Sequence, residues 1–347
     1  MYPTALRYMA EPRSVEALRF RMRDALAIAT VELRTEEPRY PWRAPDGRLL
    51  FPVGHFTTTL ATPELRVAME RGEIVSVGTT CIYAQAPIFD EWVGQLHPLR
   101  VQLQERGALF QARILKDLLN TLHGKFGERS VRWETVADEP ELPDDLFQVR
   151  DVDAQEDQTY RRVGGVLQLR QQETDGFNSF PAISAHVVSA ARLLLWSYAE
   201  RAGRDHVAYL DTDGLVVDDV GYARLAECIH PTELGKLKLV RESDDITIRG
   251  PKDIRFGATR IAKGRKAKAK TLPDGRFEQD EFWGIGAALR AGVSGGPMIQ
   301  RVQKREAAPK LPSGVQPDGH VPPLRVGGGR VDALPHVEAH DPNRQRP

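Results

Sequence analysis

The chain has 347 residues, 41% hydrophobic and 28% charged, a globular-protein balance with room for about two domains that each bury a core. Cys81 and Cys228 are too few and too isolated for a disulfide framework or a zinc site, which suits a reducing, cytoplasmic setting. No apolar run is long enough for a membrane span and no cleavable signal is visible, so no membrane partner is expected. The formal net charge of zero hides local polarity. Residues 134–157 hold ten acidic side chains against one basic, and residues 252–270 hold eight basic against one acidic. The second block has the electrostatic footprint of a nucleic-acid binder, although a solvated basic loop would share its composition.

In chain order, residues 27–33 read as a strand and residues 40–56 as a hairpin turning at Pro45, Asp46 and Gly47. Thr62, Pro63 and Glu64 form a helix start with Thr62 as N-cap, and that helix stops at Gly72. Residues 74–83 alternate as a strand, while residues 88–106 and 109–123 have helical period. Residues 128–158, acidic and proline-bearing, read as an inserted loop or small subdomain, and residues 160–170 as a strand. Residues 182–201 form an amphipathic helix ending at Gly203. A short helix over 222–229 and strands over 236–240 and 246–248 lead into the basic block. Beyond about Gln303, Pro and Gly dominate and disorder is expected; His336 and His340, spaced around Glu338, carry little metal signal there.

Two constellations carry chemistry. Residues 208–217 (A-Y-L-D-T-D-G-L-V-V) place strand formers on both sides of a corner whose turn signal is Asp-Gly. Asp211 and Asp213 then stand two residues apart at an exposed tip, where their mutual repulsion is costly unless a divalent cation offsets it. An acidic tip in water is the alternative. The helix over 109–123 sets Lys116, Asn120 and Gly124 on one stripe with His123 close by. A cation, an amide and a bare backbone patch suit a triphosphate and the base pair beside it, whereas an ordinary amphipathic helix would also fit. Walker-type, H-E-x-x-H and nucleophile-elbow motifs are absent from the sequence.

With these pieces ordered, the chain resembles a family B DNA polymerase of the protein-primed branch. Met1, Tyr2 and Pro3 resemble the end of D-x-x-S-L-Y-P, and residues 116–124 (K-D-L-L-N-T-L-H-G) resemble K-x-x-x-N-S-x-Y-G. Residues 209–214 (Y-L-D-T-D-G) resemble Y-x-D-T-D-S, and residues 251–254 resemble the K-x-Y element beyond it. The likeness runs over roughly residues 1–260. It implies that Asp213 holds two catalytic Mg²⁺ ions with Asp211 supporting it, and that Tyr2 stacks under the incoming sugar. It implies that Lys116 contacts the triphosphate, that Asn120 and Gly124 frame the nascent pair, and that Lys252 touches the primer terminus. DNA contacts are further expected at Thr121, His123, Arg260, Lys263, Arg265 and Lys266. The implied partners are template-primer DNA, dNTPs and a terminal priming protein, in a phage- or plasmid-encoded setting.

The expected fold is α+β: an antiparallel palm sheet bearing the Asp211 and Asp213 hairpin, short helical fingers and an incomplete thumb. Segment by segment, this means a partial palm with a first terminal-protein-region-like insertion over 1–107 and a fingers helix over 108–127. A second insertion covers 128–181 and palm covers 182–260. A basic thumb remnant follows over 261–302 and a disordered tail over 303–347. The family's first metal-binding aspartate sits five residues before the tyrosine, a position outside these residues, and no D-x-E proofreading triplet occurs. The expectation is therefore an N-terminally truncated polymerase portion, impaired alone and completed by a separate N-terminal half. Met1, Thr121, His123, Gly214 and Ile254 depart from the family's Leu, Ser, Tyr, Ser and Tyr. A catalytically silent DNA-binding remnant and a metal-dependent nuclease are the other readings.

Overall fold

The computed structural model describes residues 1–151, 156–262, 264–266, 268–282, 289, 299–305 and 321–326. In chain order these form β1 (Tyr2–Ala10), α1 (Val15–Arg21), β2 (Leu26–Thr35), β3 (Trp42–Arg43), β4 (Leu49–Leu50), β5 (Val53–Ala61), α2 (Thr62–Glu70), β6 (Ile74–Ala86), α3 (Asp90–Glu105) and α4 (Leu109–Phe126). Four strands follow, β7 (Arg129–Asp138), β8 (Asp145–Asp151), β9 (Glu156–Val163) and β10 (Val166–Asp175). Next come α5 (Pro181–Ala202), β11 (Val207–Asp211), β12 (Gly214–Val217) and α6 (Asp219–Arg224). The described chain closes with β13 (Ile246–Gly250), β14 (Asp253–Phe256), β15 (Thr259–Ala262), β16 (Lys270–Thr271), β17 (Arg276–Phe282), β18 (Ile299–Arg305) and β19 (Arg325–Val326). The fold is α+β and divides into two compact units. Met1–Gly127, Phe180–Arg241 and Leu311–Pro347 make the first; Glu128–Ser179 and Glu242–Lys310 make the second.

The first unit is built on a five-stranded sheet in the order β1-β6-β2-β5-β19. Every second residue of β2 from Ala27 to Leu33 is buried, the period that one covered sheet face imposes. Leu18 of α1, Leu60 of β5 and Leu65 of α2 close over that face and are fully buried with Leu33 and Tyr40. Each such leucine contributes roughly 1.5–3 kcal/mol of hydrophobic stabilisation. Beside them Glu73 accepts hydrogen bonds from Thr35 (2.7 Å), Tyr40 (2.5 Å) and the buried Arg39 (3.3 Å). Burial and the neighbouring Glu73 hold the Tyr40 phenol far above its ordinary range, so it stays a donor.

α5 is the hub of this unit. Pro181 opens it, Gly203 with φ of 86° closes it, and it packs against α2, α4, α6, β1, β5 and both strands β11 and β12. Arg192 of α5 donates through Nε (3.0 Å) and Nη2 (2.8 Å) to Oε1 of Glu64 on α2, whose side chain is 1% exposed. His186, also buried, takes its Nδ1 proton to the Ala182 carbonyl (2.7 Å), which leaves Nε2 as acceptor for the Thr62 hydroxyl (3.1 Å). Desolvation lowers the His186 pKa, and Arg66 adds to this against the Ala182 hydrogen bond. The unfolded chain therefore binds the proton more readily than the folded one, and stability should fall as pH drops from about 6.5 toward the lowered folded value. Denaturation midpoints at pH 7.5 and 5.5 check this: His186→Asn should flatten the difference, and an unchanged slope would mean that His186 does not carry it.

Several elements depart from the sequence-based expectation. Thr62 is the first helical residue, not the N-cap; Ala61 caps α2, and the Thr62 hydroxyl is diverted to accept from the Ala27 amide at 2.6 Å. Residues 160–170 are two strands, because Gly164 and Gly165 take φ of 59° and 79° and turn the chain between β9 and β10. Residues 236–240 form no strand, and Leu237 makes a single bridge to Ile229. Within 303–347, β18 continues to Arg305, and β19 pairs in parallel with β5 so that Val326 enters the core. His336 and His340 lie outside the described residues.

Among the described residues the second unit contains three antiparallel sheets: β7-β10-β9-β8, β13-β14-β15 and β16-β17-β18. The described residues of 128–158 thus form strands, the small subdomain of the two expectations and not the loop. Phe147 and Tyr160 stack at 5.7 Å, and the Arg161 guanidinium lies 4.2 Å over Trp133.

Candidate active site

The acidic corner is a separate two-stranded ribbon and not a member of the five-stranded sheet. Its strands are short, and their apolar residues Val207, Leu215 and Val217 pack on a local cluster of Ala202, Leu225 and Cys228. Packing on α5 therefore replaces strand pairing as the anchor. Asp218 at the base of the ribbon caps α6 by accepting from the Gly221 amide (2.8 Å) and also accepts from His206 Nδ1 (2.8 Å). Those two hydrogen bonds, the Gly221 amide first, hold its carboxyl below the ordinary range.

Asp211 pairs with Gly214 across the ribbon, so Thr212 and Asp213 are the central residues of the turn, where the Asp-Gly pair was expected. Thr212 carries φ of 54°, and the Asp213 amide donates back to the Asp211 carbonyl at 2.7 Å, a tight three-residue turn. A β-branched residue in that region is strained by about 1–3 kcal/mol, and such strain gathers at functional sites. The Thr212 hydroxyl offsets part of it by donating to Asp211 Oδ1 at 2.8 Å. Asp211 is half-buried, with the Tyr209 hydroxyl 3.5 Å from its other oxygen. The Asp213 side chain is exposed at the tip and makes no hydrogen bond or ion pair among the described residues. Thr212→Gly should therefore raise stability, by up to about 1 kcal/mol after the entropy of glycine is counted. A lowered denaturation midpoint would instead show that the hydroxyl bond to Asp211 outweighs the strain.

α4 presents Lys116, Asn120 and Gly124 as an exposed stripe, and a Cβ on Gly124 would meet only open space. His123 is half-buried, while the Thr121 hydroxyl donates back to the Asp117 carbonyl at 2.7 Å. Sequence reasoning missed what sets this end of α4. The Tyr2 ring meets Phe89 edge-on at 4.8 Å, and Phe89 meets Phe126 in the last turn of α4 at 5.6 Å. Three aromatics thus bring Tyr2 to the helix end that carries Asn120, His123 and Gly124. Among the described residues Lys116 and Asp213 share no hydrogen bond or ion pair; both elements rest on α5.

The basic block lies in the second unit. Lys252, with φ of 59°, is exposed in the turn between β13 and β14. Arg260 grips Asp253 through Nε and Nη2, both at 2.8 Å, and that fork holds the Asp253 carboxyl below its ordinary range. Arg265 covers the Phe277 ring at 5.3 Å and donates to Thr271 at 2.7 Å, and Lys266 Nζ donates to the Asp280 carbonyl. Lys263 lies outside the described residues. Among the described residues no group of three or more His, Cys, Asp or Glu converges on a metal position.

The family model described as DNA polymerase type B, organellar and viral, aligns with the N-terminal part of the chain. Residues 1–163 match that family. The type B match includes Tyr2, Lys116, Asn120, Thr121, His123 and Gly124 and stops before the acidic ribbon. Among solved structures, Phi29 DNA polymerase complexed with primer-template DNA and incoming nucleotide substrates is similar at 13% identity and a TM-score of 0.49, over 87% of this chain and 54% of that one. Phi29 DNA polymerase in a post-translocation binary complex with primer-template DNA is similar at 16% identity and a TM-score of 0.44, over 88% and 46%. The chain thus spans about half the length of these structures. No curated protein matches it.

Proposed function

We propose that this chain is the nucleotide-adding portion of a protein-primed family B DNA polymerase. The observation that carries the reading is the aromatic link from Tyr2 through Phe89 to Phe126, which brings a sugar-sized ring to the end of α4 that bears the Asn120–Gly124 stripe, with Phe126 itself on another face of the helix. The type B match over residues 1–163 supports it independently. In this reading Lys116 neutralises triphosphate charge, Asn120 and Gly124 leave a flat approach for the nascent pair, and Tyr2 lies under the sugar. Thr121 and His123 adjoin that pair, Lys252 touches the primer terminus, and Arg260, Arg265 and Lys266 are further candidates for DNA contact.

Asp211 and Asp213 fit Mg²⁺ by their chemistry: hard carboxylate oxygens two residues apart on a tight corner strained at Thr212. Bound there, Mg²⁺ would supply charge neutralisation for phosphoryl transfer and lower the pKa of an attacking hydroxyl. The protein's own share is positioning: α5 fixes the ribbon and α4 on one support, and Asp211 is held by Thr212 while Asp213 stays unengaged. The family's first carboxylate is not among these residues, so the test supplies it. A mixture of this chain with a polypeptide carrying that acidic strand should extend a primer in the presence of Mg²⁺ and dNTPs. A folded, DNA-binding mixture that adds no nucleotide overturns the reading.

A further inference from the structure

We propose that the cleft between α3 and the loop over residues 230–238 binds a phosphate group. Both walls belong to the first unit. His97, Arg100 and Gln104 line it from one face of α3, and His230, Lys236 and Lys238 from the loop, against a single acid, Glu233. The cavity is about 200 Å³. A water occupies about 30 Å³ of liquid, so a tetrahedral oxyanion fits.

Arg100 Nε is buried and has no hydrogen-bond partner among the described residues. A buried, unpaired charged donor is costly, and the geometry of a guanidinium edge matches two oxygens of a phosphate. Lys238 likewise makes no hydrogen bond or ion pair among the described residues, and Lys236 commits one donor to the Glu227 carbonyl at 3.1 Å. Leu237 between them packs on the Ala202, Leu225 and Cys228 cluster, which holds both lysines at the rim. His230 Nδ1 accepts from the Thr232 and Glu233 amides (3.3 and 2.9 Å), so its proton sits on Nε2. His97 is pushed toward its neutral form by burial and then by the neighbouring Arg100. The chemistry shared by all these donors is an oxyanion of phosphate type, from a DNA backbone or from a nucleotide.

The test is binding, with the full chain, and it does not depend on nucleotide addition. Inorganic phosphate and pyrophosphate are titrated while the ring protons of His97 and His230 are followed by NMR. Both rings should shift, and Lys238→Gln, an exposed change that leaves the core untouched, should weaken binding roughly tenfold; Arg100→Gln should do at least as much. A DNA source will show as lower DNA affinity and a salt dependence shallower by about one ion in Lys238→Gln. A nucleotide source will show as weaker pyrophosphate binding with DNA affinity unchanged. Rings that do not shift, or a Lys238→Gln chain that binds phosphate as tightly as its parent, overturn the proposal.

Discussion

Asp213→Asn should reduce primer extension by at least about 10²–10³-fold in the reconstituted mixture, the size of losing one preorganised electrostatic contact to developing charge. Its stability should change little, because the Asp213 side chain is exposed and makes no hydrogen bond or ion pair among the described residues. DNA binding should survive, since the substitution removes a negative charge rather than a phosphate-binding cation. Asp219→Asn is the control: the same charge change, on an exposed acid in the first turn of α6, a few residues along the chain. It should extend primers nearly as well as the parent. Equal losses in the two variants would mean that the effect is general electrostatics and not a metal position. Asp211→Asn should be inactive too, but with a lower denaturation midpoint, because the Thr212 hydroxyl bond that steadies the strained corner then meets a weaker acceptor.

What the sequence made legible follows from how local each signal is. Alternation along β2, the stop of α2 at Gly72 and the helical stripe of α4 depend on a few neighbouring residues, and they appear where their periods place them. The α+β class follows from the same patterns. The α5 helix was visible as an apolar, amphipathic run, but its role as a hub was not, since its partners on α2 lie more than 120 residues away. Thr62 shows the same limit: the local rule makes it a cap, whereas the Ala27 amide and His186 compete for its hydroxyl and win. Gly164 and Gly165 are a different case. Their turn signal is local and the structure follows it, breaking the run of strand formers into β9 and β10.

The candidate site divides in the same way. Asp211, Asp213, Lys116 and Asn120 can be picked out by spacing, because two residues of a hairpin tip or four of a helix define an orientation. The aromatic chain that brings Tyr2 to α4 leaves no comparable trace, since Tyr2, Phe89 and Phe126 are ordinary apolar positions until three elements meet. A separate ribbon rather than a sheet member was equally hidden. Strand formers specify extended backbone but not which neighbour takes the hydrogen bonds, and here α5 supplies the buried face instead.

Arg192→Met should destabilise the first unit by about 3–5 kcal/mol at pH 7, because it leaves the Glu64 carboxylate buried without its counter-charge. The loss is larger than the burial of one leucine and falls on the α2–α5 packing that also supports the acidic ribbon and α4. Burial already raises the Glu64 pKa, with Arg192 the largest influence opposing it; removing the arginine takes that opposition away. The folded state then holds its proton at a pH where the unfolded chain has released it. Stability of Arg192→Met should accordingly recover as pH falls toward about 4.5, the unfolded value, and decline as pH rises through the folded one. Adding Glu64→Leu should restore most of the loss at pH 7, since an apolar pair of similar volume has no charge to desolvate. Chemical denaturation of the single and double variants at pH 5 and pH 7 measures all four corners. A single variant no more stable at pH 5 than at pH 7, or a double variant as unstable as the single, would show that Arg192 acts through packing of its stem rather than through its charge.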